Sequence, residues 1–134
     1  MIRTLYSVSI LNHFLDNISE NYRCDQRGND MISSKDWQGS GWYRIMEPAG
    51  TGIAQQVVTN HHCNTDATGW MMGNHPRQVG QVVTRHVCIN HDSRCQWNIS
   101  IKIVNCGQFY VYYLKEISIS DSYGYIRCAR YCTV

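Results

Sequence analysis

Trp97-Asn98-Ile99-Ser100-Ile101-Lys102-Ile103-Val104, then Asn105-Cys106-Gly107-Gln108, then Phe109-Tyr110-Val111-Tyr112-Tyr113-Leu114, is the stretch that sets the fold class. Trp97, Ile99, Ile101 and Ile103 alternate with Asn98, Ser100, Lys102 and Val104. A period of two buries one face of a strand and leaves the other mostly polar. Asn105 to Gln108 has turn composition, and Phe109–Leu114 returns as an aromatic strand that is apolar on both faces. Two such runs separated by a short Gly-containing turn predict an antiparallel hairpin. Asn98 falls on the polar face and begins Asn98-Ile99-Ser100, an acceptor triplet for N-glycosylation.

Working outward, Trp42–Met46 is aromatic and β-favouring, and reads as a strand. Glu47-Pro48-Ala49-Gly50-Thr51-Gly52 is a turn, because Pro presets φ and Gly permits positive φ. Ile53–Thr59 and Val79–Cys88 read as further strands. Asn60–Gln78 is rich in Asn, His, Gly and Pro, and is expected to be mostly irregular. Residues 25–41 read as a loop, and a short helix is expected around Leu11–Ile18. The class is mainly β: a small disulfide-stapled antiparallel domain with long irregular loops and at most one or two short helices. Residues 1–23 read as an N-terminal extension or part of an upstream segment, and residues 24–134 as the domain.

At 134 residues the chain is the size of one domain. Hydrophobic residues make up 43%, enough for a modest core, and only 16% are charged. That balance argues against disorder. The net charge is +2 and the basic residues are scattered, so no nucleic-acid stripe is visible. No apolar run has the length of a membrane span. Met1–Leu11 lacks the long apolar region and small-residue cleavage site of a secretory signal.

Seven cysteines in so short a chain point to a covalent framework in an oxidising compartment. A second acceptor triplet, Asn17-Ile18-Ser19, agrees with export. The competing reading is an intracellular zinc-binding domain using His61, His62, Cys63, Cys88, His91 and Cys95. Those residue types at those spacings supply the four N/S ligands zinc needs. A cysteine nucleophile is disfavoured, since Cys106 sits in a turn with no identifiable base. No acidic cluster has calcium-loop spacing, and no cofactor is called for. The aromatics Trp42, Trp70, Trp97, Tyr110, Tyr112 and Tyr113 read as core filling rather than a sugar platform. The candidate binding surface is Trp70, Met71, Met72 and His75, on the stretch expected to be irregular.

Gly41-Trp42-Tyr43-Arg44-Ile45, Cys63-Asn64-Thr65, Trp70 with Gly73-x-His75-Pro76, Cys88 before Cys95, and Cys106-Gly107-x-Phe109-Tyr110-Val111-Tyr112 occur in family order. In this order they resemble the cysteine-rich decoy-type domain of uromodulin. The domain is shared with the related zymogen-granule glycoprotein and with the von Willebrand factor D and EGF domain-containing protein. The resemblance runs from about Cys24 to Cys132. It implies a non-enzymatic module for adhesion, decoy or ligand presentation, secreted or tethered at the cell surface, accompanied by EGF-like or other domains. Implied partners are protein or carbohydrate ligands at a surface loop.

Pairing implied by the resemblance is Cys24 with Cys128, Cys63 with Cys132, and Cys88 with Cys95. Cys106 is left as a free thiol, available to another chain or to an upstream cysteine. A further family bridge joins the positions of Val57 and Arg94, where both cysteines are lost together. The family's glycan triplet falls here on Met72 and Asn74, so no glycan attaches at that turn. Loops at residues 26–40 and 115–127 are longer than in the family.

Overall fold

The computed structural model describes residues 2–5, 39–47, 50–59, 62–63, 65, 67–117 and 129–134. Among these, seven strands form one curled sheet: β1 (Ile2–Leu5), β2 (Gly41–Ile45), β3 (Ala67–Met72), β4 (Val82–Asn90), β5 (Trp97–Asn105), β6 (Tyr110–Leu114) and β7 (Ala129–Tyr131). Their order across the sheet is β1-β2-β6-β5-β4-β3-β7. The β1–β2 and β3–β7 pairs are parallel; the inner pairs are antiparallel. No helix occurs among the described residues, and the helix expected at Leu11–Ile18 lies outside them.

The β5–β6 hairpin has the predicted form. Asn105 pairs with Tyr110, and the turn closes through Cys106 N–H donating to Phe109 O at 2.9 Å. Gly107 takes φ +94° there, a conformation that side chains disfavour. Asn105 Oδ1 accepts the Gly107 N–H at 2.8 Å, a side chain standing in for a missing backbone partner.

Period two sorts the side chains into two cores. On one face Tyr43, Tyr112 and Ile103 stand in register, with Ile45, Leu114, Ile101, Val87, Ile89, Met71 and Tyr131 around them. Ile53 and Ile117 join this core from outside the strands. Tyr131 is fully buried and satisfied, its hydroxyl donating to Lys115 O at 2.7 Å and accepting Lys115 N–H at 3.2 Å. On the opposite face a smaller core gathers Ala54, Val58, Cys63, Trp70, Cys88 and Cys132.

The expectations for two segments are corrected. Asn60–Gln78 contains a strand that was not expected there: β3 (Ala67–Met72) lies within it, between β4 and β7 in the sheet, while its other described residues are irregular apart from a bridge residue at His62. The first five residues of β3 are buried on both faces, so it lacks the alternation that marks a half-exposed strand. Ile53–Thr59 is not a strand. Ile53 makes one bridge to Thr133, and Ala54 N–H donates to Cys132 O while Ala54 O accepts Met71 N–H. Beyond that point Gln55 and Gln56 turn outward and Val58 is drawn into the second core. β1 and β7, of four and three residues, were not anticipated.

Gly69 is where β3 and β7 meet most closely. A Cβ built there would lie 2.9 Å from Arg130 O and 3.3 Å from a Val87 methyl. Gly69→Ala should therefore push β7 away and lengthen the 2.7 Å bond from Cys132 N–H to Gly69 O. A loss of roughly 1–3 kcal/mol, the usual cost of overpacking, is expected in denaturant unfolding. An unchanged midpoint would contradict the packing described.

Candidate functional site

Two disulfides staple the smaller core. Cys63 is bridged to Cys132, with Cα atoms 5.5 Å apart, and Cys88 to Cys95, with Cα atoms 4.6 Å apart. One cysteine of each pair is left-handed: Cys63 at φ +57° and Cys95 at φ +53°. Non-glycine residues hold that conformation at a cost, so the surrounding bonds must enforce it. Asn90 supplies several of them. Its Oδ1 accepts Cys95 N–H at 2.6 Å and Trp70 Nε1–H at 3.0 Å, and its Nδ2 donates to Val58 O at 3.0 Å. Thr68 Oγ1 donates to the same Val58 carbonyl at 2.6 Å. Cys24, Cys128 and Asn17 lie outside the described residues.

These bridges remove the zinc alternative. Cys63, Cys88 and Cys95 have their sulfurs in disulfides, which leaves no thiolate to bind metal. His62 turns its Nδ1 to Thr59, and His91 sets its Nδ1 3.3 Å from Asp92. Among the described residues no three His, Cys, Asp or Glu side chains converge as a metal cluster, and His61 lies outside them. Cys106 is a free, exposed thiol on the β5–β6 turn.

The candidate binding residues separate. Trp70 is 4% exposed and Met71 is fully buried, so neither meets a partner. They are strand residues facing opposite cores rather than members of an open loop. Met72, 49% exposed, remains at the surface beside Gly73 and Asn74. Gly73 turns the chain at φ +96°. Arg94 sets its guanidinium 5.6 Å from the Trp70 ring centroid.

His75 folds back onto the sheet and anchors a groove. Its Nε2 accepts the Tyr112 hydroxyl at 2.6 Å, and that hydroxyl accepts Ile53 N–H at 3.2 Å. Gln55 Oε1 accepts the His75 backbone N–H at 3.0 Å and also the Nδ1–H. An amide oxygen only accepts, so Nδ1 carries a proton, and the lowered pKa leaves the imidazole neutral at pH 7. Burial, then the charge of Arg85, lowers the His75 pKa from 6.5 to about 4. Burial likewise holds the Tyr112 hydroxyl well above its ordinary value. The His75 ring lies 4.4 Å from that of Tyr110.

This arrangement predicts acid sensitivity. The folded pKa lies below the unfolded one, so below pH 6.5 the unfolded chain takes up a proton that the folded chain refuses. The contribution is full above pH 6.5 and falls as pH drops toward 4. Because His75 is only partly buried, the loss should be on the order of 1–2 kcal/mol after screening is allowed for. Unfolding midpoints measured at neutral and acid pH should converge in His75→Gln. An equal acid slope in both proteins would refute the assignment.

Two adjoining hollows flank Tyr110 and Thr51. One, about 460 Å³, is lined by residues including Gln55, Gln56 and His75. The other, about 470 Å³, includes Arg44, Glu47, Gln108 and Phe109, with the Arg44 guanidinium 3.9 Å from the Phe109 ring centroid. Amides, hydroxyls and one charge of each sign over aromatic rings suit contact with a polar ligand. A third hollow, about 400 Å³, lies on the opposite sheet face between Trp42, Tyr113 and Lys102. Trp42 and Tyr113 meet edge to face at 5.4 Å. These two rings border a hollow instead of filling a core, a correction to the reading of the aromatics.

A β domain with, among the described residues, one sheet and two disulfides gathered behind a buried tryptophan is thus the class of protein. Residues 43–133 match the family model described as "Uromodulin-like", and the chain belongs to that family. It is 38% identical over 78 residues to uromodulin of Rattus norvegicus, covering 57% of this chain and 12% of that protein. It is 35% identical over 98 residues to the pancreatic secretory granule membrane major glycoprotein GP2 of Homo sapiens, covering 71% of this chain and 17% of that protein. The Canis lupus familiaris form of the latter is 32% identical over 96 residues, covering 69% and 17%. The matched region thus spans less than a fifth of each relative's length.

Proposed function

We propose that this domain is a non-enzymatic extracellular module that presents a rigid surface and N-glycans to protein or carbohydrate partners, in an adhesion or decoy role. The observation that carries the reading is the pair of disulfides within a uromodulin-like domain. Such bridges persist where the compartment is oxidising. No helix among the described residues is long and apolar enough to cross a membrane. The module is taken as residues 24–134, with Ile2–Leu5 of the 1–23 extension pairing along β2. Asn17 and Asn98 are the glycan acceptors, Cys24 pairs with Cys128, and Cys106 stays a thiol. His75, lining the groove at Tyr110, and Met72, exposed at the end of β3, are the parts of the expected binding surface that a partner reaches.

Non-reducing peptide mapping of the chain secreted from animal cells tests this. Cys63–Cys132, Cys88–Cys95 and Cys24–Cys128 are expected as linked peptides, with Cys106 alone alkylated. Seven alkylated cysteines in natively produced protein would overturn the extracellular reading.

A further inference from the structure

We propose that the N-glycan on Asn98 folds back along β5 and seats its first sugars in the hollow between Trp42, Tyr113 and Lys102. The inference rests on the extracellular reading, and goes beyond it by assigning a glycan-holding site on the sheet. Asn98 is exposed on β5, and Asn98, Ser100 and Lys102 share one strand face by alternation. Lys102 stands opposite Tyr113 on one side and Thr84 on the other, and Tyr113 stands opposite Trp42. Four side chains from four adjacent strands therefore make one row across the open face. The hollow they border, about 400 Å³, is lined also by Ser100, Ile101 and Lys115.

Reach and chemistry agree with this occupant. Asn98 lies four positions from Lys102 in the row, about 13 Å along β5. An asparagine side chain bearing a disaccharide spans that distance. The C–H faces of N-acetylhexosamine rings are apolar surfaces for the Trp42 and Tyr113 rings. Hydroxyls of Thr84 and Ser100 and the ammonium groups of Lys102 and Lys115 match the sugar's rim of hydroxyl and amide groups. The covalent tether keeps the sugars at millimolar local concentration, so weak stacking is enough to populate the seated form. Cys88 faces Asn98 across the β4–β5 ladder, which places the glycan stem beside the Cys88–Cys95 bridge.

Attachment itself is ordinary group transfer. Asn98 Nδ2 forms the bond to the anomeric carbon of N-acetylglucosamine on a lipid-linked oligosaccharide. The bond from that carbon to the pyrophosphate oxygen breaks, the lipid pyrophosphate leaves, and the transferase base takes the amide proton.

The test uses the full chain secreted from animal cells. Loss of one glycan in Asn98→Gln establishes the attachment; secreted protein with unmodified Asn98 overturns the proposal while leaving the extracellular reading intact. In the glycosylated protein, an N-acetyl methyl resonance should be shifted upfield by the Trp42 and Tyr113 rings. Thr84→Arg, at an exposed position, should lay a side chain without a ring current across the hollow, exclude the sugar and restore the methyl to its ordinary shift. If the seated form holds the glycan 80–90% of the time, amidase release from native protein should rise roughly five- to ten-fold in that variant. An unshifted methyl, an equal release rate, or dimerisation through this face in place of the sugar overturns the seating.

Discussion

Replacing Cys63 and Cys132 together by alanine should destabilise the domain by about 4 kcal/mol. The bridge spans 69 positions, and in the chain-entropy model a loop of that length restrains the unfolded ensemble by about that amount. Both cysteines are fully buried, so two cavities add to the loss. Without the bridge, position 63 also loses one of the restraints holding its left-handed backbone. Removing Cys88–Cys95, a span of 7 positions, should cost only about 2 kcal/mol by the same reasoning. A small domain holds only ~5–15 kcal/mol in all. Urea unfolding of the two double variants under oxidising conditions measures the ordering. Equal losses, or a larger loss at the short bridge, would show that loop closure is not what these disulfides contribute.

Asn90→Leu should cost roughly 3–5 kcal/mol, the second of the large effects. The side chain is 5% exposed and satisfies two donors and one acceptor at once. Leucine has the same number of side-chain heavy atoms branched at Cγ and is bulkier, so the change removes bonding without opening a cavity. Trp70 Nε1–H and Cys95 N–H are left without their acceptor, each at about 1–3 kcal/mol. The Val58 carbonyl keeps Thr68 Oγ1 as a donor, which limits the third loss. Combining Asn90→Leu with Trp70→Phe separates this account from general disruption. Phenylalanine lacks the indole N–H, so the second substitution should cost less once Asn90 is gone, with a coupling of about 1 kcal/mol. Strict additivity would refute the shared bond.

The hairpin of β5 and β6 was legible because one of its faces is wet: Asn98 and Lys102 are exposed while Ile101 and Ile103 are buried. β3 was not, for the opposite reason. Ala67-Thr68-Gly69-Trp70-Met71 is sealed on both sides, so composition rather than periodicity had to reveal it, and Gly and Thr pointed to a loop. Trp70 and Met71 were singled out as surface for that reason, and both proved to be core. His75 was singled out by motif, but its bond to Tyr112 joins residues 37 apart and leaves no local trace. Asn90 carried no signal either, since one asparagine among many looks alike until Trp70, Cys95 and Val58 converge on it. The disulfide partners came from resemblance, because spacing alone leaves the connectivity of several cysteines open.

β1 and β7 occupy opposite flanks of the strand order, and they are fastened differently. β1 is held by backbone pairing to β2, with Arg3 set against the Tyr43 ring, whereas Cys132, directly after β7, is locked to Cys63. A pull applied between residues 2 and 134 would therefore strip the first strand long before it disturbed the last. The disulfide makes that last flank a rivet, which would keep the tryptophan-centred interior closed while the first flank gives way.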